Sequence, residues 1–200
     1  MTTWVLVGLA TAITFTIAID VSTALRVARR WASYATQRGY RLDAPGLLPS
    51  RETMRLRAVS DDTTIAFTLL GSGRTTRTRA SAKAIRALPL VLVLYDRRIP
   101  FVGTLRQRAG NDEIPLDPPS LGTRYAMHAT NAPLARELLD EPALDAFLRM
   151  LGRRDVAFTY DEGEVQLSWA GAEEHEELLD AARDIVARAC RWRPDAAAYR

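Results

Sequence analysis

The chain has 200 residues, 48% of them hydrophobic, and a formal net charge of +3 at pH 7. Residues 1–39 hold four arginines and one aspartate, so the rest is neutral overall and lacks the net positive charge that nucleic acid binding usually requires. The single cysteine, Cys190, excludes an intrachain disulfide and a thiolate metal cage within one chain.

The first segment, residues 4–25, predicts a membrane anchor because it holds only one charged side chain, Asp20. Its 22 residues would form a helix about 33 Å long, enough to cross a hydrocarbon core of about 30 Å. The alternative is a buried or surface-lying helix, since several threonines make this run less apolar than most spans. Trp4 and Trp31 favour the span, because about 40 Å of continuous helix would put the two indoles in opposite interfacial belts.

Arginines follow the predicted span directly, at Arg26, Arg29 and Arg30. The positive-inside rule then predicts a single-pass protein of the inner (plasma) membrane, with the N-terminus outside and the following domain in the cytoplasm. The same side chains would contact anionic membrane lipid. We expect the helix to continue as a basic stalk that ends at a glycine. This divides the chain into an anchor with its stalk over residues 1–38 and one soluble α+β domain over residues 39–200.

The first half of the domain predicts strands. After a turn-rich linker over residues 43–49, residues 53–59 and 63–70 alternate apolar with polar side chains on either side of a turn at residues 61–62. This alternation is typical of antiparallel strands with one buried face.

Two further strands are expected to differ in their surroundings. Residues 74–80 carry arginine and threonine on both faces, which predicts an exposed or edge strand protected from pairing by its charge. Residues 88–95 are apolar without interruption, which predicts a strand covered on both faces at the centre of the sheet. Residues 106–122 are rich in proline and glycine and predict an irregular connection.

The second half predicts the order strand, helix, helix, strand, strand, helix. Asn131 and Asp140 are expected to cap the two middle helices, each of which has a proline in its first turn. The final helix has an aliphatic stripe, glutamates over 173–177 at its start and arginines towards its end, which match the helix dipole. Together the two halves predict an α+β domain with one antiparallel sheet and helices. The other expected elements are a strand over 124–129 and a hairpin of 156–160 with 165–169.

No motif specifies a chemistry, so we expect no catalytic residue, no metal site and no cofactor. The glycine turn at residues 71–73 is no phosphate loop, because the lysine and the following helix of that motif are missing. His128 and His175 lie 47 positions apart, without the spacing of a zinc site. Cys190, on the last turn of an amphipathic helix, is more typical of a packed side chain than of a nucleophile.

The strongest interaction signal is a run of basic side chains in the first half of the domain. Its members are Arg74, Arg77, Arg79, Lys83 and Arg86. The run predicts contact with anionic membrane lipid or with an acidic protein partner, and the alternative is a solvated strand face. No stacking aromatic residue is interleaved with these charges, which argues against nucleic acid.

Several stretches together resemble one group of proteins. The arginine-rich segment ends in R-G-Y at residues 38–40, residues 74–79 read RTTRTR, residues 124–151 read RYAMHATNAPLARELLDEPALDAFLRML, and a hairpin follows at 156–169. With the apolar N-terminal helix, these stretches make the chain similar to uncharacterised membrane-anchored proteins of GC-rich bacteria that carry a domain of unknown function. The resemblance implies an anchored α+β domain without an established activity.

The leading hypothesis is therefore a non-enzymatic binding or scaffold domain at the cytoplasmic face, held by one helix. The rival is an enzyme or a small-ligand-binding domain with its site near residues 106–128, where Arg124 and His128 adjoin the irregular connection. The oligomeric state stays open.

Charge is divided unevenly along the domain. Residues 40–110 hold 13 basic and 5 acidic side chains, whereas residues 111–200 hold 10 and 18. If the basic half faces a bilayer, residues 74–86 should lie on the same side of the domain as residues 26–41, and the glutamates over 173–177 should point away. The alternative is that the opposite charges pair within the domain.

Overall fold

The computed structural model describes residues 21–43, 55–60, 63–71, 75–99 and 103–194. In these ranges the chain forms six helices and one eight-stranded antiparallel sheet, which confirms the predicted α+β class. Most of the predicted anchor and linker, the turn at residues 61–62 and the side chain of Arg74 lie outside the described residues. Among the helices in the described ranges, none combines the length and the hydropathy of a membrane-crossing segment.

The strands are β1 Arg41–Asp43, β2 Arg55–Ser60, β3 Thr63–Leu70, β4 Arg77–Lys83, β5 Val91–Asp96, β6 Tyr125–Ala129, β7 Ala157–Asp161 and β8 Glu164–Ala170. The helices are α1 over residues 21–38, α2 Gly103–Ala109, α3 Pro119–Arg124, α4 Ala132–Leu138, α5 Glu141–Arg149 and α6 Glu176–Arg191. The strand order is β1-β2-β3-β4-β8-β7-β5-β6, with antiparallel pairing throughout. The first four strands thus form a meander, and the β7–β8 hairpin inserts between β4 and β5.

The predicted hairpin of β7 and β8 is confirmed. Its two turn residues, Glu162 and Gly163, have φ of 50° and 94°. Two left-handed residues in a row match the twist of the flanking strands. A Cβ on Gly163 would lie 2.8 Å from the Cβ of Ala87, so the packing here also requires glycine.

The two middle helices, α4 and α5, begin at the predicted caps. The Asn131 Oδ1 atom accepts a hydrogen bond from the N–H of Leu134 at 3.1 Å, and Asp140 Oδ1 accepts one from the N–H of Ala143 at 3.1 Å. Each cap satisfies a backbone donor that has no partner inside its own helix. These two helix starts are therefore determined locally.

Helices α1, α5 and α6 cover one face of the sheet. Trp31 of α1 meets Phe67 of β3 edge to face with ring centroids 6.5 Å apart, and Phe147 of α5 meets Phe158 of β7 at 5.8 Å. Helix α6 lies over β3, β4 and β8. Its buried stripe includes Leu179, Ala182, Ile185, Val186 and Ala189. This is the main hydrophobic core.

The opposite face of the sheet carries a smaller apolar cluster at one end. Helix α2 packs there over β5 and β6, around Val93, Tyr95 and Ala109. All six residues of β5 are buried, so the prediction of a strand covered on both faces is confirmed. The strand is not at the centre of the sheet, however, because only β6 lies between it and the edge.

The prediction of an edge strand over residues 74–80 is wrong, because β4 pairs with β3 on one side and with β8 on the other. Thr78 and Ala80 are fully buried beneath α6, while Arg77 and Arg79 alternate with them on the opposite face. The inward side chains are small because a helix lies directly over them. Their small size concealed the alternation of a half-buried strand in the sequence.

The segment over residues 106–122 is less irregular than predicted, since α2 and α3 lie partly within it. Both helices are short, and a helix of two turns leaves little periodic signal in a sequence. Helix α3 begins with a proline in its first turn, which accounts for one of the prolines in this segment.

The prediction of a projecting stalk is wrong, because helix α1 packs against the domain. Val27, Trp31 and Tyr34 are fully buried in the main core, and Ala35 is nearly so. The interfacial position predicted for Trp31 is therefore wrong, and the folded domain extends upstream of residue 39. The helix does end before Gly39, as predicted.

Candidate functional site

Glu173 joins α1 to the sheet and is only 3% exposed. Its Oε2 atom accepts a hydrogen bond from Trp169 Nε1 at 3.0 Å, and its Oε1 atom accepts one from Arg153 at 3.0 Å. Its backbone carbonyl accepts a hydrogen bond from Trp31 Nε1 at 2.9 Å, and its N–H donates to Thr78 Oγ1 at 2.9 Å. Glu173 therefore ties together one helix and two strands.

The prediction that Glu173 belongs to the start of the final helix is wrong. Helix α6 begins only at Glu176, and Glu173 Oε1 accepts hydrogen bonds from the N–H groups of Glu174 at 3.1 Å and His175 at 3.0 Å. The signal that could have found it is Trp169, four residues upstream, because a buried indole N–H needs an acceptor.

Charged and polar side chains also link α1 to α6 and to the residues just before it. Arg26 pairs with Glu174 at 2.9 Å, and both Arg38 and the hydroxyl of Tyr34 donate to Asp180. Burial and then this hydrogen bond raise the pKa of Tyr34 above its ordinary value. The expectation that the acidic residues point away from the first helix is therefore wrong. Exposed pairs contribute only about 0–1 kcal/mol each, so burial of Trp31 is the main force that holds α1 in place.

The outer side of α1 carries the first candidate surface, which we call the α1 basic face. It forms a groove of about 560 Å³ lined by Ser22, Leu25, Arg26, Arg29, Arg30 and Ser33. Arg29 and Arg30 are exposed and have no hydrogen bond or ion pair with any described residue. Arg26 keeps 63% exposure in spite of its pair. All three predicted contact arginines of this helix are thus accessible.

The second candidate surface, the β4–β8 cleft, lies on the sheet face opposite to α1 and α6. It has a volume of about 330 Å³ and is lined by Thr64, Arg79, Ser81, Ala82, Lys83, Glu164, Val165 and Gln166. Most of these are alternate residues of neighbouring strands, so their side chains project from one hydrogen-bonded backbone. The cleft is therefore mounted on the most regular part of the fold.

Two predicted contact arginines of β4 differ sharply. Arg77 donates to the backbone carbonyl of Asp155 at 2.6 Å and to Ser168 Oγ at 3.3 Å. Arg79 has no hydrogen bond or ion pair with any described residue, and its Nε atom is buried. Arg77 is thus engaged within the domain, whereas Arg79 is available to a ligand.

The arginines of α1 and β4 do not lie on one side of the domain, contrary to the expectation from the charge split. Phe67, which contacts α1, pairs in register with Ala80, and Thr68 pairs with Arg79. Because successive strand residues face opposite sides, Arg79 points away from α1.

Opposite charges from the two halves of the chain instead pair within the described part of the domain. Arg77 lies 4.0 Å from Asp155 and Arg108 lies 2.7 Å from Asp161. Arg97 likewise pairs with Glu113. The uneven charge along the sequence is thus largely balanced in three dimensions.

The rival site near residues 106–128 contains a closed network around Asp96, which is fully buried. Arg98 donates to its carboxylate at 2.9 Å, and the N–H of Asp155 donates to it at 3.2 Å. Arg124 forms an ion pair with the carboxylate at 3.0 Å and donates a hydrogen bond to the carbonyl of Arg153 at 2.6 Å. These contacts satisfy the carboxylate from several directions. Arg124 is therefore a structural residue that joins the end of β5 to its neighbours.

His128 is 2% exposed and stacks on Tyr95 with ring centroids 6.0 Å apart. It lines neither of the two surfaces described above. No three His, Cys, Asp or Glu side chains among the described residues are grouped so that they could hold a metal ion. Cys190 is buried, and burial raises the pKa of its thiol to about 12, which keeps it protonated.

The fold and its two surfaces define an α+β domain with an eight-stranded antiparallel sheet and unpaired basic side chains on opposite sides. No protein-family model and no curated protein matches the chain. Among solved structures, the crystal structure of the mycobacterial trehalose monomycolate transport factor A, TtfA, is similar, with a TM-score of 0.54. The match covers 81% of this chain and 91% of that chain at 10% sequence identity. At that identity the likeness concerns the fold alone.

Proposed function

We propose that this protein is a non-enzymatic binding domain that is anchored in the inner membrane by the apolar run of residues 4–19 and works at the cytoplasmic face. In this proposal the α1 basic face contacts anionic lipid headgroups. The observation that carries it is the exposure of Arg29 and Arg30, without described partners, on a helix whose other side is fixed to the domain.

The position of these arginines in the chain supports the proposal. The apolar run of residues 4–19 comes directly before α1, so a bilayer that holds this run would lie close to the first turns of the helix. Each basic side chain near an anionic surface contributes about 1 kcal/mol, so three together would bias how the domain lies by about 3 kcal/mol. Salt should weaken this contribution, since the Debye length is about 8 Å at physiological ionic strength.

The proposal takes a transport-associated role by analogy with the similar fold of TtfA. That protein is named as a transport factor for trehalose monomycolate. The resemblance of this chain to anchored proteins of GC-rich bacteria implies no activity, and it enters the proposal only as support for the anchor. A protein partner in the same membrane is compatible with the exposed α1 basic face.

Site-specific labelling of the full chain in lipid nanodiscs tests the lipid contact. Cys190 is buried and protonated, so a cysteine introduced by Ser33→Cys, on the α1 basic face, can be spin-labelled selectively. Thr64→Cys, on the exposed opposite face of the sheet, is the matched control. We expect phosphatidylglycerol to shield the label at residue 33 from a water-soluble relaxation agent, compared with phosphatidylcholine alone. The label at residue 64 should stay equally accessible in both.

Charge reversal sharpens this test. Arg29→Glu combined with Arg30→Glu should restore the accessibility of the label at residue 33 in anionic discs, because attraction becomes repulsion. Equal accessibility at residue 33 in both lipid compositions would contradict the lipid contact. A reporter fused to the C-terminus tests the orientation separately, and an extracellular reporter would contradict the cytoplasmic position of the domain. Full release of the protein by carbonate would contradict the anchor.

A further inference from the structure

We infer that the β4–β8 cleft binds a water-soluble small molecule through an oxyanion, a phosphate or a carboxylate group, and that Arg79 is its main anchor. The ligand body should carry hydroxyl or amide groups that reach the polar side chains of the cleft. This assignment rests on unsatisfied polar atoms, on the charges around the cleft and on its position relative to α1.

Unsatisfied buried atoms are the first argument. The Nε atom of Arg79 is buried without a partner, and so is the Oγ1 atom of Thr68, a residue that is 7% exposed. The two residues pair in register on neighbouring strands. Most buried polar groups in folded proteins have a hydrogen-bond partner, and six side-chain atoms of the described residues are exceptions, among them Arg124 Nε and His128 Nδ1 near residues 106–128. Arg79 and Thr68 are exceptions that lie side by side on neighbouring strands, next to a cleft. A guanidinium in this position lacks an acceptor, and an oxyanion would supply one or two.

The lining of the cleft is the second argument. The side chains of Thr64, Ser81, Lys83 and Gln166 make no hydrogen bond or ion pair with a described residue. Arg77, two positions before Arg79 on the same face, makes a hydrogen bond and an ion pair, both with Asp155. A basic side chain of this face can therefore be engaged within the domain, and Arg79 and Lys83 in the cleft are not.

The distribution of charge limits what the ligand can carry. Lys83 pairs in register with Glu164, so the charges at that end of the cleft offset each other. Arg79 has Thr68 and Ser168 as its register neighbours and no carboxylate among them. One positive charge thus remains uncompensated, which favours a ligand with a single anionic group near Arg79 and a neutral polar body towards Glu164.

The inference about where the ligand comes from rests on the proposed function. If the α1 basic face lies on lipid, the cleft on the opposite side of the sheet points into water. A headgroup in the same bilayer would then be out of reach. The ligand should therefore come from the aqueous phase.

Amide NMR shifts of the full chain in phosphatidylcholine nanodiscs test the assignment, with inorganic phosphate and acetate as probes and chloride at equal ionic strength as reference. Saturable shifts should appear at residues of β4 and β8. Arg79→Ala should weaken binding about tenfold or more, because a charge-assisted hydrogen bond is lost. Arg79→Lys should weaken it less, and Arg77→Ala should change it by less than about twofold, because that side chain is engaged elsewhere.

Three outcomes would overturn the assignment: no saturable shift with either probe, equal binding by the folded Arg79→Ala or Arg79→Gln protein, or competition by added phosphatidylglycerol vesicles that depends on Arg79. The last result would make the cleft a lipid site. Neutral discs keep the α1 basic face unengaged, and the lipid test uses Arg29 and Arg30, so the two proposals can fail separately.

Discussion

Where α1 and α6 meet, the backbone N–H, the carbonyl and the carboxylate of Glu173 all make hydrogen bonds. The carboxylate alone accepts four of them. Across the sheet, in the β4–β8 cleft, Arg79 and its polar neighbours have no described partner. Both regions combine ionisable side chains with partial or full burial. Only in the first region do these side chains stabilise the fold through internal hydrogen bonds and ion pairs.

Charged side chains in this protein thus fall into two kinds: those paired within the fold and those left available to a ligand. A buried charge without a partner destabilises the folded state. Charges that become buried where α1 docks are therefore expected to be paired. Unpaired donors in a cleft have no such structural explanation. Stability should therefore depend on the first region and be nearly independent of the second.

The largest effect is expected for Trp31→Ala. Removal of a fully buried indole from the core should lower the free energy of unfolding by about 3–5 kcal/mol. Denaturant unfolding measures this, with the neighbouring exposed Arg30→Ala as control at about 0.5 kcal/mol or less. If Trp31→Ala cost less than the control, α1 would not belong to the core.

Glu173→Gln should come next. An amide can replace only one carboxylate oxygen, so either the indole of Trp169 or the donors around Oε1 would face an N–H group. We expect a loss of about 2 kcal/mol in the free energy of unfolding. Glu174→Gln, which removes an exposed ion pair, should cost about 0–1 kcal/mol. Equal losses for the two variants would argue against a central role for Glu173.

Stability should also fall in alkali. Burial and then Asp180 raise the pKa of Tyr34, and burial and then Asp96 raise that of Tyr125, above the ordinary value of about 10. The unfolded chain therefore ionises first, so this stabilisation is complete below about pH 10 and is lost as pH rises further. Tyr34→Phe should lower the free energy of unfolding by about 1 kcal/mol at neutral pH. It should also remove the contribution of one tyrosine to the pH dependence of the unfolding midpoint between pH 10 and 11. An unchanged alkaline slope would contradict this.

The smallest effects should distinguish two arginines on one strand. Arg77→Ala removes a hydrogen bond to the carbonyl of Asp155 and should lower the free energy of unfolding by about 1 kcal/mol. Arg79→Ala removes no partner and should stay within about 0.5 kcal/mol of the parent protein. Thermal unfolding of both variants in parallel checks this. A larger loss for Arg79→Ala would give that side chain a structural role.

Much of the local structure could be predicted from the sequence. Alternation determines β3 and its inward face, Asn131 and Asp140 determine where α4 and α5 begin, and the aliphatic stripe determines α6. Each of these signals acts between residues that are close in the chain, so pattern and side-chain chemistry suffice. The α+β class follows from their order.

The tertiary structure alone decided which elements meet. The pairing of β4 with β8 joins residues far apart in sequence, and it turns an expected edge strand into an interior one. The docking of α1 buries Trp31 and gives Glu173 its partners. The same non-local packing engages Arg77 and leaves Arg79 free, although both occupy equivalent positions in one repeat of arginine and threonine. Partners of this kind are set by where the chain returns in space, which no short stretch of sequence encodes.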